Sequence, residues 1–181
     1  MSNVQNGAAC CSVTAMRNLT RLIPILILLV VSVDASAQFL RPHEPFDSTK
    51  SQSLPLVPST IIVDEAEHAF QFEFADADDT RRIGLMHRAE IAPDHGMLFD
   101  FKRDRMVAMW MRNTFIPLDM LFLSQAGEVV TIAENAVPHN EMTISSKVRV
   151  RAVLELKAGT VERLGVKPGD RVKHEMFEVI K

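Results

Sequence analysis

The segment 147–157 alternates apolar and polar side chains, and this pattern constrains the fold more than any other feature of the sequence. Apolar side chains occupy every second position, namely Val148, Val150, Ala152, Leu154 and Leu156. Polar side chains fill most of the positions between them, including Arg149, Arg151, Glu155 and Lys157. Side chains of a strand point alternately to its two faces, so the pattern predicts a strand with one buried face and one polar face.

Similar but shorter patterns predict further strands. Residues 97–101 alternate apolar and other side chains and predict one strand. Residues 106–111 are all apolar and predict a second strand that is covered on both faces. The charged residues 102–105 are predicted to form the hairpin tip between these two strands. Residues 119–124 and 128–134 predict a second hairpin. Each hairpin joins neighbouring strands, which favours antiparallel pairing.

Two short helices complete the predicted elements. One begins after Asp76 or Asp78 and ends near Leu85, and the other covers 160–164 with a glycine at its end. The total is about seven to nine short strands, without internal repeats or regular alternation of strands and helices. We therefore predict a mostly β (α+β) domain, built as an antiparallel sandwich or a partly closed barrel.

The first 37 residues have the features of a secretory signal peptide. A basic start precedes an apolar run at 22–33, which is too short to span a bilayer comfortably. Ala35-Ser36-Ala37 fits the cleavage pattern, so cleavage is predicted before Gln38, and Met16 is a candidate for the true start. The alternative, an uncleaved anchor, is disfavoured by the short run and the cleavage pattern.

Export predicts a periplasmic or secreted protein. Both cysteines, Cys10 and Cys11, precede the apolar run, so residues 38–181 have no thiol for a disulfide, a metal site or a nucleophile. The net charge of −3 argues against a nucleic acid partner, and no later apolar run predicts a transmembrane helix. Residues 38–60 carry four prolines and predict an extended linker, followed by one globular domain at 61–181.

The only tryptophan, Trp110, stands where a predicted strand meets a polar turn, and this junction is the first candidate for a binding site. Because tryptophan is highly buried on average, a core position is the favoured interpretation, and a stacking platform on a cleft wall is the alternative. The polar residues that follow are Arg112, Asn113 and Thr114. Arg112 either binds a carboxylate or phosphate, or holds the turn by pairing with Asp119 or Glu155.

A polar loop after the second hairpin is predicted to reach the same rim. Its candidate ligand-binding residues are Glu134, Asn135 and His139, beside Pro138. Asp119 with Glu134 or Glu155 could also form an acid–base pair, which is the basis of an alternative hypothesis, a hydrolase or lyase acting on an envelope glycan. No complete catalytic constellation is present, so an enzyme is the less favoured class.

Methionine and histidine residues suggest a weaker alternative, the binding of Cu(I). The candidate ligands are Met86, His87, His95 and Met97. Thioethers and imidazoles suit this ion, but methionine on strands is more often core filler, and no tight repeated motif is present. We therefore expect neither a resident metal nor a cofactor.

Several short blocks follow one another in the order typical of one prokaryotic family. They are Gly84-Leu85-Met86, Gly96-Met97-Leu98-Phe99, Trp110-Met111-Arg112-Asn113-Thr114, Pro117-Leu118-Asp119, Pro138, Leu154-Glu155 and Gly169-Asp170. Over roughly 61–179 the chain resembles the uncharacterised family catalogued as domain of unknown function number 192. The resemblance implies a compact, mostly β domain that is often exported, has no agreed activity and supplies no catalytic roles. Its members usually carry lysine or arginine at Arg112, and arginine or another long residue near His87 and Arg88.

These observations together favour a binding module of the cell envelope. We predict a polar cleft beside Trp110 that is built with Arg112, Asn113, Asp119 and the loop from Glu134 to His139. The predicted ligand is a small polar or anionic envelope molecule, or an exposed segment of another envelope protein.

Overall fold

The computed structural model describes residues 44–177, which all belong to one compact unit of the chain, 41–181. The predicted signal peptide, 1–37, and its cleavage site lie outside the described residues. Among residues 44–177, no helix is both long enough and apolar enough to cross a bilayer.

The described residues form seven strands and two short helices. The strands are β1 (Leu56–Val63), β2 (Ala66–Ala75), β3 (His95–Met109), β4 (Leu118–Leu123), β5 (Val129–Ala136), β6 (Ile144–Lys157) and β7 (Arg171–Lys173). The helices are α1 (Asp78–Ile83) and α2 (Thr160–Leu164), and single 3-10 turns cover Ser48–Lys50 and Glu175–Phe177. Gly84 and Gly165 end the two helices, and the glycine end of α2 lies where it was predicted.

All seven strands form one curled sheet in the order β5-β4-β6-β3-β2-β1-β7. Every neighbouring pair is antiparallel except β2 and β3, which run parallel because the chain crosses over through α1. The two edges approach each other, since a bridge joins Glu128 to Arg171 and the Val129 N–H donates to the Asp170 carbonyl at 2.8 Å. The fold is thus a mostly β half-barrel, and the prediction of a partly closed barrel is confirmed.

Apolar side chains are buried on both faces of this sheet. A first core cluster includes Phe72, Leu98 and Leu154, and a second includes Met97, Phe99, Met120 and Val153. Leu85 and Met111, from connections outside the sheet, cover the second cluster. Glu155 shares the face of Val153 and is only 5% exposed, so the prediction of a polar outer face at this position is wrong.

β3 is one long strand where the sequence predicted two. A register shift against β6, between Asp100 and Arg105, absorbs the charged residues, and Lys102 adopts a positive φ of 65° there. The Asp100 carboxylate stabilises this bulge because it accepts the Lys102 N–H at 2.7 Å and a hydrogen bond from the Arg151 guanidinium at 2.8 Å. The predicted hairpin tip at 102–105 is wrong. The prediction that the strand at 106–111 is covered on both faces is also wrong, because Met106 is 52% exposed.

Part of the predicted linker is folded onto the domain. β1 already begins at Leu56, and residues 44–55, here called the N-terminal strap, contact α1 and its surroundings. The Gln52 amide donates to the carbonyls of Thr80 and Gly84, at 2.8 and 3.0 Å, and so satisfies the end of α1. The prolines predict an extended spacer, but residues between them, such as Gln52, make hydrogen bonds that fix the strap.

Candidate functional site

A cleft lies between α1 and the end of β3. Its outer part has a volume of about 240 Å³ and is lined by Asp78, Arg81, Arg82, Phe99, Phe101, Ala108, Met109 and Trp110. A smaller recess of about 30 Å³, here called the inner chamber, shares five of these residues and adds Ile83, Gly84, Leu85, Met86, Thr114 and Glu155. Together they form an aromatic and basic opening with a narrow end at a carboxyl group.

Trp110 forms a wall of both parts of the cleft, and its side chain is 52% exposed. The favoured prediction of a core tryptophan is therefore wrong. β3 ends at Met109, so the chain leaves the sheet at Trp110, and Met111 takes the fully buried position instead. The ring is left free to stack against a ligand.

Glu155 lines the inner chamber, and its side chain makes no hydrogen bond or ion pair within residues 44–177. Its direct neighbours across the sheet are Met97 on β3 and Met120 on β4, both fully buried. Burial among these apolar groups raises the pKa of Glu155 to about 8. The carboxyl is therefore protonated at neutral pH, and it can donate as well as accept a hydrogen bond.

Two arginines of α1, Arg81 and Arg82, line the opening, and neither is among the predicted site residues. Arg81 is held in place, because its guanidinium donates to the Asp100 carbonyl at 2.7 Å and pairs with Asp78. Arg82 is exposed and makes no ion pair or side-chain hydrogen bond with any other described residue. The signal that could have identified it is its position just before the Gly84-Leu85-Met86 block, which carries the family resemblance.

The polar turn after Trp110 contributes only one of its three candidates to the cleft. Thr114 lines the inner chamber, and its hydroxyl donates to the Arg112 carbonyl at 3.3 Å. Asn113 adopts a positive φ of 52° and donates its amide to the Glu44 carboxylate of the strap at 2.8 Å. Arg112 is exposed, lies outside both parts of the cleft and makes no pair with Asp119 or Glu155, so the proposed internal network is absent.

Asp119 is fully buried and holds backbone groups of two other elements. Its two carboxylate oxygens accept the N–H groups of Asn135 and Val161, both at 2.9 Å. Asp119 lies opposite Leu156 in the sheet and Met120 opposite Glu155, so the two acidic side chains point to opposite faces. They cannot act together as an acid–base pair. Glu134, by contrast, is exposed on β5.

The histidine and methionine candidates have separate structural roles. His87 is buried and accepts the Asp47 N–H of the strap at 3.3 Å, whereas Met97 belongs to the second core cluster. Met86 lines the inner chamber, and His95 is half-buried at the start of β3. The His139 ring packs edge-on against Phe115, 4.4 Å between centroids. Across residues 44–177, no group of three or more histidine, cysteine or acidic side chains is arranged to hold a metal ion.

The sequence matches one protein family over residues 60–174, the family DUF192, described as "Uncharacterized ACR". The chain belongs to DUF192. The suspected resemblance is thereby confirmed. No curated protein matches the chain.

Two crystal structures are similar to this DUF192 chain. One, named as a candidate transcription regulator from Sinorhizobium meliloti 1021, is 48% identical, with a TM-score of 0.66, over 69% of this chain and 99% of that one. The other, a protein of unknown function from Novosphingobium aromaticivorans DSM 12444, is 34% identical, with a TM-score of 0.64, over 72% of this chain and 100% of that one.

The blocks that carry the DUF192 resemblance meet at the inner chamber, although they are far apart in the sequence. They supply Gly84, Leu85, Met86, Phe99, Trp110, Thr114 and Glu155. Gly84 is needed there, because a Cβ at this position would come within 3.1 Å of the Phe99 ring. Its φ of 52° also disfavours larger residues.

Proposed function

We propose that this DUF192 domain is an exported binding module, and that its ligand is a small polar molecule with an anionic group. The observation that supports this most directly is Glu155, a buried carboxyl without a hydrogen-bond partner in the described part of the chain, at the end of an open cleft. Buried polar groups are satisfied in the great majority of cases, so an unsatisfied one beside an opening marks a place for a ligand. An exposed segment of another envelope protein is the alternative occupant.

The opening of the cleft has the chemistry that such a ligand requires. Trp110 offers a flat face for a ring or an apolar body. Arg82 offers a guanidinium that no other described side chain occupies, and guanidinium groups bind carboxylates and phosphates through paired hydrogen bonds. This role was predicted for Arg112, which lies outside the cleft, whereas Arg82 lines the cleft and is not paired with any other described side chain.

Export is the second part of the proposal, and it rests on the sequence alone. The basic start, the apolar run at 22–33 and the Ala35-Ser36-Ala37 site predict cleavage before Gln38. The absence of cysteine after that point agrees with an oxidising envelope compartment. Mass spectrometry of the N-terminus of the protein expressed in a Gram-negative host tests this part independently of ligand binding.

Hydrolysis of an envelope glycan is the second candidate. One observation favours it, because burial raises the pKa of Glu155 to about 8, in the range suited to a general acid. Asp119, however, is fully buried and points to the opposite face of the sheet. Since paired-carboxylate glycosidases need a second carboxyl about 5–9.5 Å away, the geometry favours binding over catalysis.

The test of the binding proposal uses Trp110, the single tryptophan, as an intrinsic probe. We expect red-shifted, quenchable emission from the free protein, and a saturable blue shift with protection from acrylamide when N-acetylmuramate, succinate or inorganic phosphate binds. Arg82→Ala should weaken binding at least tenfold, about 1.4 kcal/mol, because the anionic group loses its partner.

Arg112→Ala is the matched control. It removes an exposed arginine from the same region without touching the cleft, so affinity should stay within a factor of about two. Equal losses in both variants, or no response of Trp110 to any of the three compounds, would contradict the proposed site.

A further inference from the structure

We infer that the inner chamber receives an ammonium group, and that the ligand of the proposed site is a small zwitterion. Its ammonium would contact Glu155, and its carboxylate would reach Arg82 at the opening. This inference rests on the proposed function and specifies the chemical class of the ligand.

The size of the inner chamber limits what can reach Glu155. A volume of about 30 Å³ admits one or two groups of the size of a water molecule. An ammonium head group meets this limit, whereas a sugar ring or a phosphate group does not. The body of the ligand must therefore stay in the outer part of the cleft, which has about 240 Å³.

The lining of the inner chamber favours a cation over a neutral group. Beside Glu155 and the two arginines of α1, Arg81 and Arg82, the residues that line it include two aromatic ones, Phe99 and Trp110, and two methionines, Met86 and Met109. Aromatic faces attract ammonium groups, and polarisable sulfur accommodates them. A carboxylate surrounded by such groups provides the negative charge that an ammonium needs when it leaves water.

The charged groups around the inner chamber define the other end of the ligand. From α1 they are Arg81, which pairs with Asp78, and Arg82, which is unpaired within residues 44–177. The end of β3 contributes no charged side chain to the inner chamber, and the turn contributes the Thr114 hydroxyl. Within residues 44–177, one unpaired cation at the opening and one unpaired carboxyl at the narrow end match a ligand with the opposite charges at its two ends.

Binding of an ammonium has a consequence that binding of a neutral group lacks. Burial raises the pKa of Glu155 to about 8, so the carboxyl of the free protein is protonated at mildly acidic pH. When the ammonium enters, the carboxyl ionises and its proton goes to the buffer, leaving a carboxylate–ammonium pair. One proton is released for each ligand bound.

Isothermal titration calorimetry of the full-length protein, in two buffers of different ionisation enthalpy at mildly acidic pH, counts this proton. The probes are glycine, γ-aminobutyrate and ε-aminocaproate, which vary the distance between the charges. Butyrate and butylamine are single-charge controls. We expect one of the zwitterions to bind at least tenfold more tightly than either control and to release close to one proton.

Three outcomes separate the proposals. Butyrate that binds as tightly as the amino acids, with no proton release, overturns the inference and leaves the proposed anion site in place. Tighter binding of zwitterions without proton release also overturns the inference, because Glu155 would not have ionised. Failure of these probes and of the anions named above, with no change in Trp110 emission, overturns the proposed function itself.

Two variants assign the effect to Glu155. Glu155→Gln resembles the protonated side chain in shape but cannot ionise. We expect it to release no proton and to bind the zwitterion at least tenfold more weakly, with its affinity for butyrate unchanged. Arg112→Ala should keep both the affinity and the proton release. Unchanged zwitterion binding in Glu155→Gln would contradict the inference, and circular dichroism verifies that the variant is folded.

Discussion

Glu155 shows how one residue can be compatible with the core and still be available for binding. An isolated charge in an apolar environment is very costly, and a protein avoids this cost by raising the pKa until the group is neutral. Burial raises the pKa of Glu155 to about 8, so the half-barrel can fold around a neutral carboxyl. The same group becomes a strong partner only when a ligand brings the opposite charge.

The first prediction concerns the pH dependence of stability. Between pH 4.5 and about 8 the unfolded chain ionises Glu155 whereas the folded chain keeps its proton. The folded state therefore has its full stability, as far as Glu155 is concerned, below pH 4.5, and the free energy of unfolding falls as the pH rises from there to about 8. Glu155→Gln does not titrate, so we expect it to gain stability relative to wild type across this range, by at most about 5 kcal/mol.

Urea denaturation of both proteins at several pH values tests this expectation. Glu134→Gln is the matched control, because it makes the same chemical change at an exposed position. A difference between wild type and Glu155→Gln that does not vary with pH would show that Glu155 is not buried in its neutral form.

At the scale of elements, the cleft exists because three connections pack against the sheet instead of extending it. α1 crosses from β2 to the parallel strand β3, and its glycine end lies against Phe99. β3 stops at Met109, which leaves Trp110 on the rim. The strap then holds the end of α1 through Gln52. Sheet, helix end and strap together fix the opening.

A second junction of elements is held by Asp119, and here we predict a purely structural role. Asp119→Asn keeps one oxygen acceptor and places an NH2 group opposite the N–H of Asn135 or Val161. Loss of one charge-assisted hydrogen bond, with a donor left unsatisfied, should cost about 2–3 kcal/mol of unfolding free energy. Thermal denaturation measures this loss.

Ligand titration of the folded Asp119→Asn protein distinguishes a structural role of Asp119 from a catalytic one. Affinity monitored by Trp110 emission should remain at the wild-type value, because Asp119 points away from the cleft. A variant with full stability and abolished glycan hydrolysis would instead support the hydrolase hypothesis.

At the scale of the whole molecule, the two edges of the half-barrel depend on a close contact at Gly127. Its φ is 76°, and a Cβ would lie 2.5 Å from the Val172 carbonyl oxygen and 2.9 Å from the Phe177 ring. The Val172 N–H also donates to the Gly127 carbonyl at 2.8 Å. Only glycine allows β7 to approach the β4–β5 turn this closely.

Gly127→Ala should therefore open the junction between the two edges. We expect a loss of about 2–4 kcal/mol, which combines the cost of a positive φ with steric overlap. Gly159→Ala is the control, because its φ is 82° and no neighbouring atom of the described residues lies within 4 Å of the added Cβ, so only the cost of the φ angle, about 1 kcal/mol, remains. Hydrogen exchange of the Val129 and Val172 amides localises the effect, and equal losses in both variants would exclude a packing role for Gly127.

The sequence predicted the parts of the fold that depend on neighbouring residues. The strand at 147–157, the hairpin of β4 and β5 and the glycine end of α2 depend on local signals, and each lies at its predicted place. The two faces of β6 were predicted less well, because Glu155 is buried and Val148 is 42% exposed. It did not predict the parallel pair or the bulge in β3, because these depend on distant hydrogen bonds such as the one from Arg151 to Asp100.

The candidate site was predicted only in part, for a related reason. Trp110, Thr114 and Glu155 were identified from their sequence blocks, and they do meet at the inner chamber. Alternation within a single strand cannot show that its second face is covered, so Glu155 was expected on a polar surface. Arg82 was not predicted because it lines the same cleft as Trp110 only through the packing of α1 against the end of β3, two segments that are distant in the sequence.

The most direct test is the pH titration of the Glu155 side-chain carboxyl by carbon NMR in the free, wild-type protein, assigned with Glu155→Gln. We predict a midpoint near 8, far above the ordinary value of 4.5. A midpoint near that ordinary value would mean that the carboxyl is solvated or paired. The inner chamber would then hold no unsatisfied acid, and both the binding site and its zwitterionic ligand would lose their basis.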